Sequence, residues 1–544
     1  MIERPFLRPV LIGLLCLAWM LPGLIGHEPW KPDEAYTFGV VYEILQGGSW
    51  VIPQLAGEPF IDKPPLFYLS AALSAQLFSP LLPLHDGARL VVALWIGLSL
   101  LFTALAAHEL HGERKGLIAA LLLLGSLGLI VRSHQLIADT AAFAGFAITC
   151  FGIALIPRRP WCGGAWLGSG IGVIFLSLGL LEAAMPAILG VVLVLLHRHW
   201  RSGTSISALG MALLFALPWL LIWPLLLHQQ NPVLFSAWLT HELPQWQRPE
   251  GSVLSNLLHY LSILPWYAFP AWPVALWAMW RAYRRHDFTS PGMMLPLSGL
   301  FVCLTMLAIA GQARELYALP LLIPIALLAT PGVDTLRRGA GNLWLWFSIM
   351  TFTFFIFVGW FYWSALELGM PAKLHGHLHT IRPGYDFGFR VLPFLLGLGY
   401  TGAWFLLLVR LQRAAERPVV VWAAGLTAMW ALLTTLFIGW IDTAKSYRAT
   451  VENMVRVLPA GYRCMAADEV GEGQRALVHY YAGIRLRRLA TDPRAESCDL
   501  LLSQGAPLLE RPLPPEWTLI WEGHRPGDKD ERLRLYRLDT PRKP

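Results

Sequence analysis

Apolar runs of about 20 residues, each long enough to cross a bilayer, recur from residue 7 to residue 440. They predict spans at roughly 7–26, 88–108, 115–132, 136–156, 165–181, 183–197, 206–227, 261–281, 293–311, 316–330, 342–363, 390–411 and 418–440. The first run lacks a small-x-small cleavage site and is followed by many more, so it reads as a retained helix and not a signal peptide. A further run, 66–84, is apolar enough to be a fourteenth candidate.

Basic residues settle the threading. With Arg4 and Arg8 in the cytoplasm and 66–84 not crossing, the inner turns carry Arg114 and Lys115, Arg158 and Arg159, and Arg198 and Arg201. The later inner turns carry Arg281, Arg284 and Arg285, then Arg337 and Arg338, then Arg410, Arg413 and Arg417. Letting 66–84 cross inverts every later turn and destroys this pattern. The expectation is therefore about 13 spans, with 66–84 a helix lying along the outer interface. The loops 27–87, 228–260 and 364–389 and everything after residue 440 then share the outer face. In a bacterial inner membrane that face is the periplasm.

After Trp440 the composition turns polar, and 441–544 reads as a second, α/β domain appended to a membrane domain at 1–440. Helices are predicted near 445–458 and 473–481. Strands are predicted at 463–467, 484–489, 499–503, 517–522 and 533–538, the last two forming a hairpin. Cys464 and Cys498 both fall in this outer domain, where oxidation is permitted; a disulfide and two buried thiols in neighbouring strands are both open.

Composition agrees with the pattern. The chain has 544 residues, of which 56% are hydrophobic and 14% charged, where a soluble protein carries about a quarter charged. The net charge of +7 resides largely in turns between spans, so it does not signal a nucleic-acid partner.

Candidate chemistry concentrates in the outer loops. Lys31-Pro-Asp-Glu-Ala-Tyr36 places Asp33 and Glu34 just after the first span; they suit a helix start, a general base or a metal ligand. In Phe60-Ile-Asp-Lys-Pro-Pro65 two prolines fix the backbone and hold Lys63 at head-group depth, where it either snorkels or binds phosphate. Asp62 pairs with Lys63 or binds a metal. Asp139, after Arg132 and His134, caps an interfacial turn or faces Asp33. His241, Glu242, Arg248 and Tyr260 mix aromatic and charged groups suited to a sugar phosphate, as an ordinary interfacial loop also does. Arg314 and Tyr317 can form a second clamp. His375, His377 and His379 attract a divalent metal or form a polar loop.

The order Asp33-Glu34, then Gly57-Glu-Pro-Phe-Ile-Asp-Lys-Pro-Pro-Leu66, then a short interfacial helix and Arg89, resembles the GT-C lipid-carrier-dependent glycosyltransferases of the protein mannosyltransferase superfamily. Within it the chain is most similar to ArnT-like enzymes, which move aminoarabinose from undecaprenyl phosphate to lipid A. Asp442-Thr-Ala-Lys-Ser-Tyr-Arg448 also looks like this family. The resemblance implies a GT-C fold, a polyprenyl-phosphate-linked sugar donor, and lipid A or another periplasmic acceptor. It implies Asp33 as the first-loop catalytic carboxylate and Asp139 as a second acidic residue in the cavity. Lys63, Tyr317 and Arg248 fall at carrier-phosphate positions. Asp62 falls at a metal-associated position, with Zn, Mg or Mn as the expected ion. Glu34, His241, Glu242, Tyr260 and Arg314 are placed as substrate contacts, and His375, His377 and His379 as further metal ligands. Two positions depart from the pattern: Phe60 stands where the family often has Tyr, and Glu182 where it has Lys.

Alternative functions are a hexosyl- or mannosyltransferase acting on protein or O-antigen, and a secondary transporter. A transporter calls for ionisable groups near mid-membrane and matched, broken halves, whereas most charges here lie at span ends.

Overall fold

A computed structural model describes residues 7–242, 252–311, 313–381, 385–386, 388–412, 414–506, 514–526, 528 and 531–539. Every predicted span falls on a helix or on a broken pair of helices. Among the described residues, eight helices are long and apolar enough to cross a membrane, including Leu84–His111, Gly203–Gln230, Arg338–Glu367 and Arg417–Lys445. The others are shorter or interrupted. The third span breaks at Gly125 into Lys115–Leu124 and Leu127–Arg132. The eighth breaks before Pro270 into Val253–Tyr267 and Ala271–Arg284, and the tenth begins as a 3₁₀ turn, Glu315–Leu321.

Lipid and helix are equally apolar, so helices associate by close approach of small residues. The Pro160–Leu178 helix does this with Gly164 and Gly168, one turn apart. A Cβ on Gly164 would lie 2.3 Å from the Ala208 carbonyl, and one on Gly168 would lie 2.1 Å from that of Ala212. Neither position has room for a side chain.

The apolar run 66–84 does not form a long helix. It gives Leu66–Phe78, then a turn before Leu84–His111. Phe67, Tyr68, Ala71, Ala72 and Ala75 make its buried face, while Leu73 and Leu77 are each 69% exposed on the other side. That division suits a helix lying along an interface, as expected. A second short helix, Asp33–Leu45, occupies the first half of the same loop and begins where Asp33 and Glu34 offered a helix start. Between the two helices lies a small hairpin, β1 (Gln54–Leu55) with β2 (Glu58–Pro59). Its two turn residues, Ala56 and Gly57, have φ of 50° and 85°, the positive pair a two-residue hairpin turn requires.

The tail forms a mixed sheet of β3 (Met465–Asp468), β4 (Arg487–Arg488), β5 (Leu500–Gly505), β6 (Trp517–Gly523) and β7 (Arg532–Leu538), in the order β4-β3-β5-β7-β6. β3 runs parallel to β4 and β5, and the β6–β7 hairpin pairs antiparallel. Helices Arg448–Arg456 and Glu472–Ala482 accompany the sheet, and Val451, Met454, Leu477, Leu500 and Leu535 share its core. Cys464 and Cys498 are joined in a disulfide.

Candidate active site

Pro32 precedes the Asp33–Leu45 helix, whose first turn presents Asp33 and Glu34 to the positive end of the helix. The hairpin then returns the chain, and Pro64-Pro65 start the next helix, leaving Lys63 on a short extended link. Lys63 reaches across to the start of the Asp139–Leu155 helix, with Nζ 3.2 Å from Asp139 Oδ2. Arg314, ahead of the 3₁₀ turn, lies 3.4 Å from Asp33 Oδ1 and over the Tyr317 ring at 5.7 Å. Asp33, Lys63, Asp139, Arg314 and Tyr317 are therefore brought together from four separate segments. Burial is the largest single influence on Lys63 and works against its charge, but Asp139 together with Tyr36, Tyr68 and Tyr317 holds the ammonium well above the ordinary lysine value. Burial likewise opposes the charge on Arg314, and Asp33 and Tyr317 together raise that guanidinium.

Two phenols missed by the sequence reading complete the cluster. Tyr36 feels Lys63, Asp139, Asp33 and Tyr317, and Tyr68 feels Tyr36, Lys63, Asp62 and Asp139. Tyr36 sits one helical turn after Asp33, a spacing that carried the signal. Tyr68 lay within a run read only as apolar.

Glu34 is corrected from a substrate contact to a structural anchor. It is 2% exposed, and its carboxylate accepts Arg89 Nε at 2.9 Å and the backbone N–H groups of Trp30 and Leu136 at 3.2 and 3.0 Å. Arg89 in turn donates to Asp86 at 2.7 Å and to the carbonyls of Leu24 and His27 at 2.9 and 3.2 Å. With both Glu34 and Arg89 so fully engaged, the carboxylate has no role left on substrate.

Other expected residues divide. Tyr260 is fully buried beside Arg314 and Tyr317. Glu242 is also buried, but its Oε2 accepts the N–H of Leu180 at 3.1 Å, at the start of the Leu180–Leu196 helix. It packs so closely under Gly179 (φ 122°) that a Cβ there would meet its carboxylate at 2.7 Å. Glu242 thus supports a helix junction through Oε2, while its Oε1 has no hydrogen-bond partner among the described residues. His241 is exposed at the end of its helix. Arg248 lies outside the described residues.

The expected pairing of Asp62 with Lys63 is not formed, because Lys63 is taken by Asp139; Asp62 is exposed. The proposed ligands Asp62, His375, His377 and His379 do not converge. His375 and His379 share one face of the Ala372–Ile381 helix, and His375 Nδ1 lies 2.9 Å from the Ala365 carbonyl oxygen. Alternate residues of a helix point to different sides, so His377 turns away from both. Among the described residues no group of three His, Cys, Asp or Glu side chains is placed to hold a metal ion.

A narrow seam leads from the cluster between helices. Asp139, Glu182 and Tyr317 stand at one end, with Phe143, Phe146, Met185 and Leu307 beyond them. Phe146, Met185 and Pro320 also line the adjoining recess, which continues past Cys150, Leu295, Val302 and Cys303. The ionisable groups at the polar end, Asp139 and Glu182, are carboxylates, and the rest of the lining is apolar.

The tail closes over the first loop. Glu28 is held by Arg448 at 2.7 Å, Glu43 by Arg485 at 3.0 Å, and Glu58 by Arg475 and Arg488 at 2.9 and 3.3 Å. Lys31 pairs with Glu531. Gly39 lets the Asp33–Leu45 helix touch the tail: a Cβ there would come within 2.5 Å of Ala476 Cβ.

No protein-family profile matches the chain. It is similar to the undecaprenyl phosphate-alpha-4-amino-4-deoxy-L-arabinose arabinosyl transferase of Pseudomonas savastanoi pv. phaseolicola, 26% identical over 442 residues, covering 78% of this chain and 76% of the relative. The enzyme of the same description from Pseudomonas aeruginosa is 27% identical over 446 residues, covering 77% and 73%. The crystal structure of ArnT from Cupriavidus metallidurans bound to undecaprenyl phosphate superposes with a TM-score of 0.68 at 17% identity, covering 98% of each chain. The fold is therefore the same.

Proposed function

We propose that this chain, a multi-pass membrane homologue of the aminoarabinose arabinosyl transferases with their GT-C fold, is itself an inverting glycosyltransferase. Its donor is a sugar linked to undecaprenyl phosphate. Its acceptor is lipid A, with 4-amino-4-deoxy-L-arabinose as the sugar. It works in the bacterial inner membrane, with the N-terminus in the cytoplasm and the Lys63 cluster and tail in the periplasm. The observation that supports this reading is the gathering of two ion pairs, Lys63 with Asp139 and Arg314 with Asp33, around the Tyr36 phenol.

The carrier phosphate lies at Lys63. An acceptor oxygen attacks the anomeric carbon from the face opposite the phosphate; the new C–O bond forms as the bond to the phosphate oxygen breaks. Electron pairs accumulate on the departing phosphate, where the Lys63 ammonium stabilises them. Asp139 keeps Lys63 aimed and charged. Asp33, oriented by Arg314, takes the proton of a hydroxyl acceptor or positions an acceptor phosphate that is already ionised. A single displacement inverts the anomeric centre.

The test is a purified-enzyme assay with undecaprenyl-phospho-aminoarabinose and lipid A, read by intact mass of the lipid. Addition of one aminoarabinose supports the assignment. Addition only from a hexose-linked carrier moves the chain to the hexosyltransferase reading, and no transfer from any lipid-linked sugar sinks it altogether.

A further inference from the structure

We infer that Tyr68, assisted by Tyr36, donates its hydroxyl to the carrier phosphate held at Lys63. The inference rests on the proposed donor and goes beyond it by assigning two binding residues. Tyr68 is fully buried, and its hydroxyl has no hydrogen-bond partner among the described residues. A buried polar group without a partner is costly, and native proteins keep few of them unless something external completes the bond. This phenol lies in the first turn of the Leu66–Phe78 helix, five residues after Lys63, and interacts with that ammonium.

The surroundings indicate what completes it. Lys63, Tyr36, Tyr68 and Tyr317 gather around one spot, with Asp139 as the balancing charge. Between the two inferred residues sits Phe60, its ring centroid 5.8 Å from that of Tyr36 and 6.3 Å from that of Tyr68. Phe60 fills space and offers no donor, so the hydroxyls come from its neighbours. Burial pushes the Tyr68 phenol well above its ordinary value, so it stays a neutral donor at any working pH. Neutral O–H groups beside one ammonium suit a phosphate oxygen: they add hydrogen bonds without adding a charge that must be desolvated when the site is empty.

Tyr68→Phe removes one oxygen and leaves the ring. Binding of undecaprenyl phosphate and of undecaprenol to the purified full-length protein in detergent should be compared by native mass spectrometry, alongside melting temperature. The variant is expected to bind the phosphate about tenfold more weakly, with undecaprenol binding and melting temperature unchanged. Tyr36→Phe is expected to show the same selectivity with a smaller loss. In turnover, KM for the lipid donor should rise more than kcat falls. Equal phosphate binding by wild type and Tyr68→Phe overturns the inference, as does equal loss of both lipids. A wild-type protein that binds the alcohol as well as the phosphate overturns the carrier reading itself, and this inference with it.

Discussion

The network around Glu34 and the cluster around Lys63 arise from the same loop, and they differ in how completely their hydrogen bonds are met. Glu34 accepts from one guanidinium and two backbone N–H groups, and Arg89 spends its remaining donors on Asp86 and two carbonyls. Among the described residues, Lys63 has a single carboxylate partner and beside it stands a phenol with no hydrogen-bond partner. A saturated buried network fixes shape and binds nothing further. An unsaturated one keeps its capacity for a ligand. Adjacent residues in the chain, Asp33 and Glu34, thus fall on opposite sides of this division.

The largest expected effect lies on the saturated side. Glu34→Gln removes one of the two carboxylates that hold the buried Arg89 guanidinium, leaving Asp86, and breaking such a pair costs up to about 3–5 kcal/mol. Thermal unfolding of the detergent-purified protein should show it, together with lower yield, as a larger loss than in Lys63→Ala, which leaves only Asp139 without its partner. If the two variants melt alike, the distinction between shape and ligand capacity fails.

Next in size is Lys63→Ala itself. Removing a group that stabilises charge on the leaving phosphate should lower kcat by about 10²–10³-fold in the fraction that remains folded. Activity within a few-fold of wild type would take Lys63 out of the chemistry.

A smaller loss is expected for Arg475→Ala. It removes the shorter of two arginine contacts to Glu58, on the hairpin that leads to Lys63, and a modest misplacement of a catalytic group is felt in rate. About a tenfold loss in kcat/KM, with undiminished binding of undecaprenol, would show that the tail tunes the unsaturated cluster. No change would confine the tail to stability.

The smallest effect is one of pH. Asp139 holds the folded-state value of Lys63 above its unfolded value, so its charge and the stability it lends are complete below about 10.5 and fade only as pH rises through the higher folded value. Between pH 7 and 10, then, Lys63 should contribute no alkaline loss of activity. A loss in that range that disappears in Lys63→Arg would contradict the pairing.

How much of this was legible in the sequence follows from how local each cause is. Spans were legible because twenty apolar residues need no partner to declare themselves, and the tail strands because alternation and turn residues are local. The interfacial reading of 66–84 came from charges many residues away, and the short Leu66–Phe78 helix agrees with it. A start of the Asp33–Leu45 helix was legible at Asp33 and Glu34, but its extent was not, because it mixes Glu43, Gly39 and Tyr36 with apolar residues and packs on both the tail and the neighbouring helices. Lys63 and Asp33 were flagged by type and place. Their partners, Asp139 and Arg314, lie 76 and 281 residues away, and nothing in the spacing selects them. Glu34 could not be separated from Asp33 until Arg89 was seen to reach it. The histidines misled because their density in sequence becomes divergence on a helix.

Three glutamates of the first loop, Glu28, Glu43 and Glu58, are each held by arginines from residues 448–488. The ribosome makes that stretch only after the last span. The loop carrying Lys63 therefore waits, through synthesis of the later membrane helices, for the part that fastens it. A nascent chain stalled before the tail would hold the reactive side chains but not their arrangement, so transferase competence becomes a late event in biogenesis, tied to completion of the whole polypeptide.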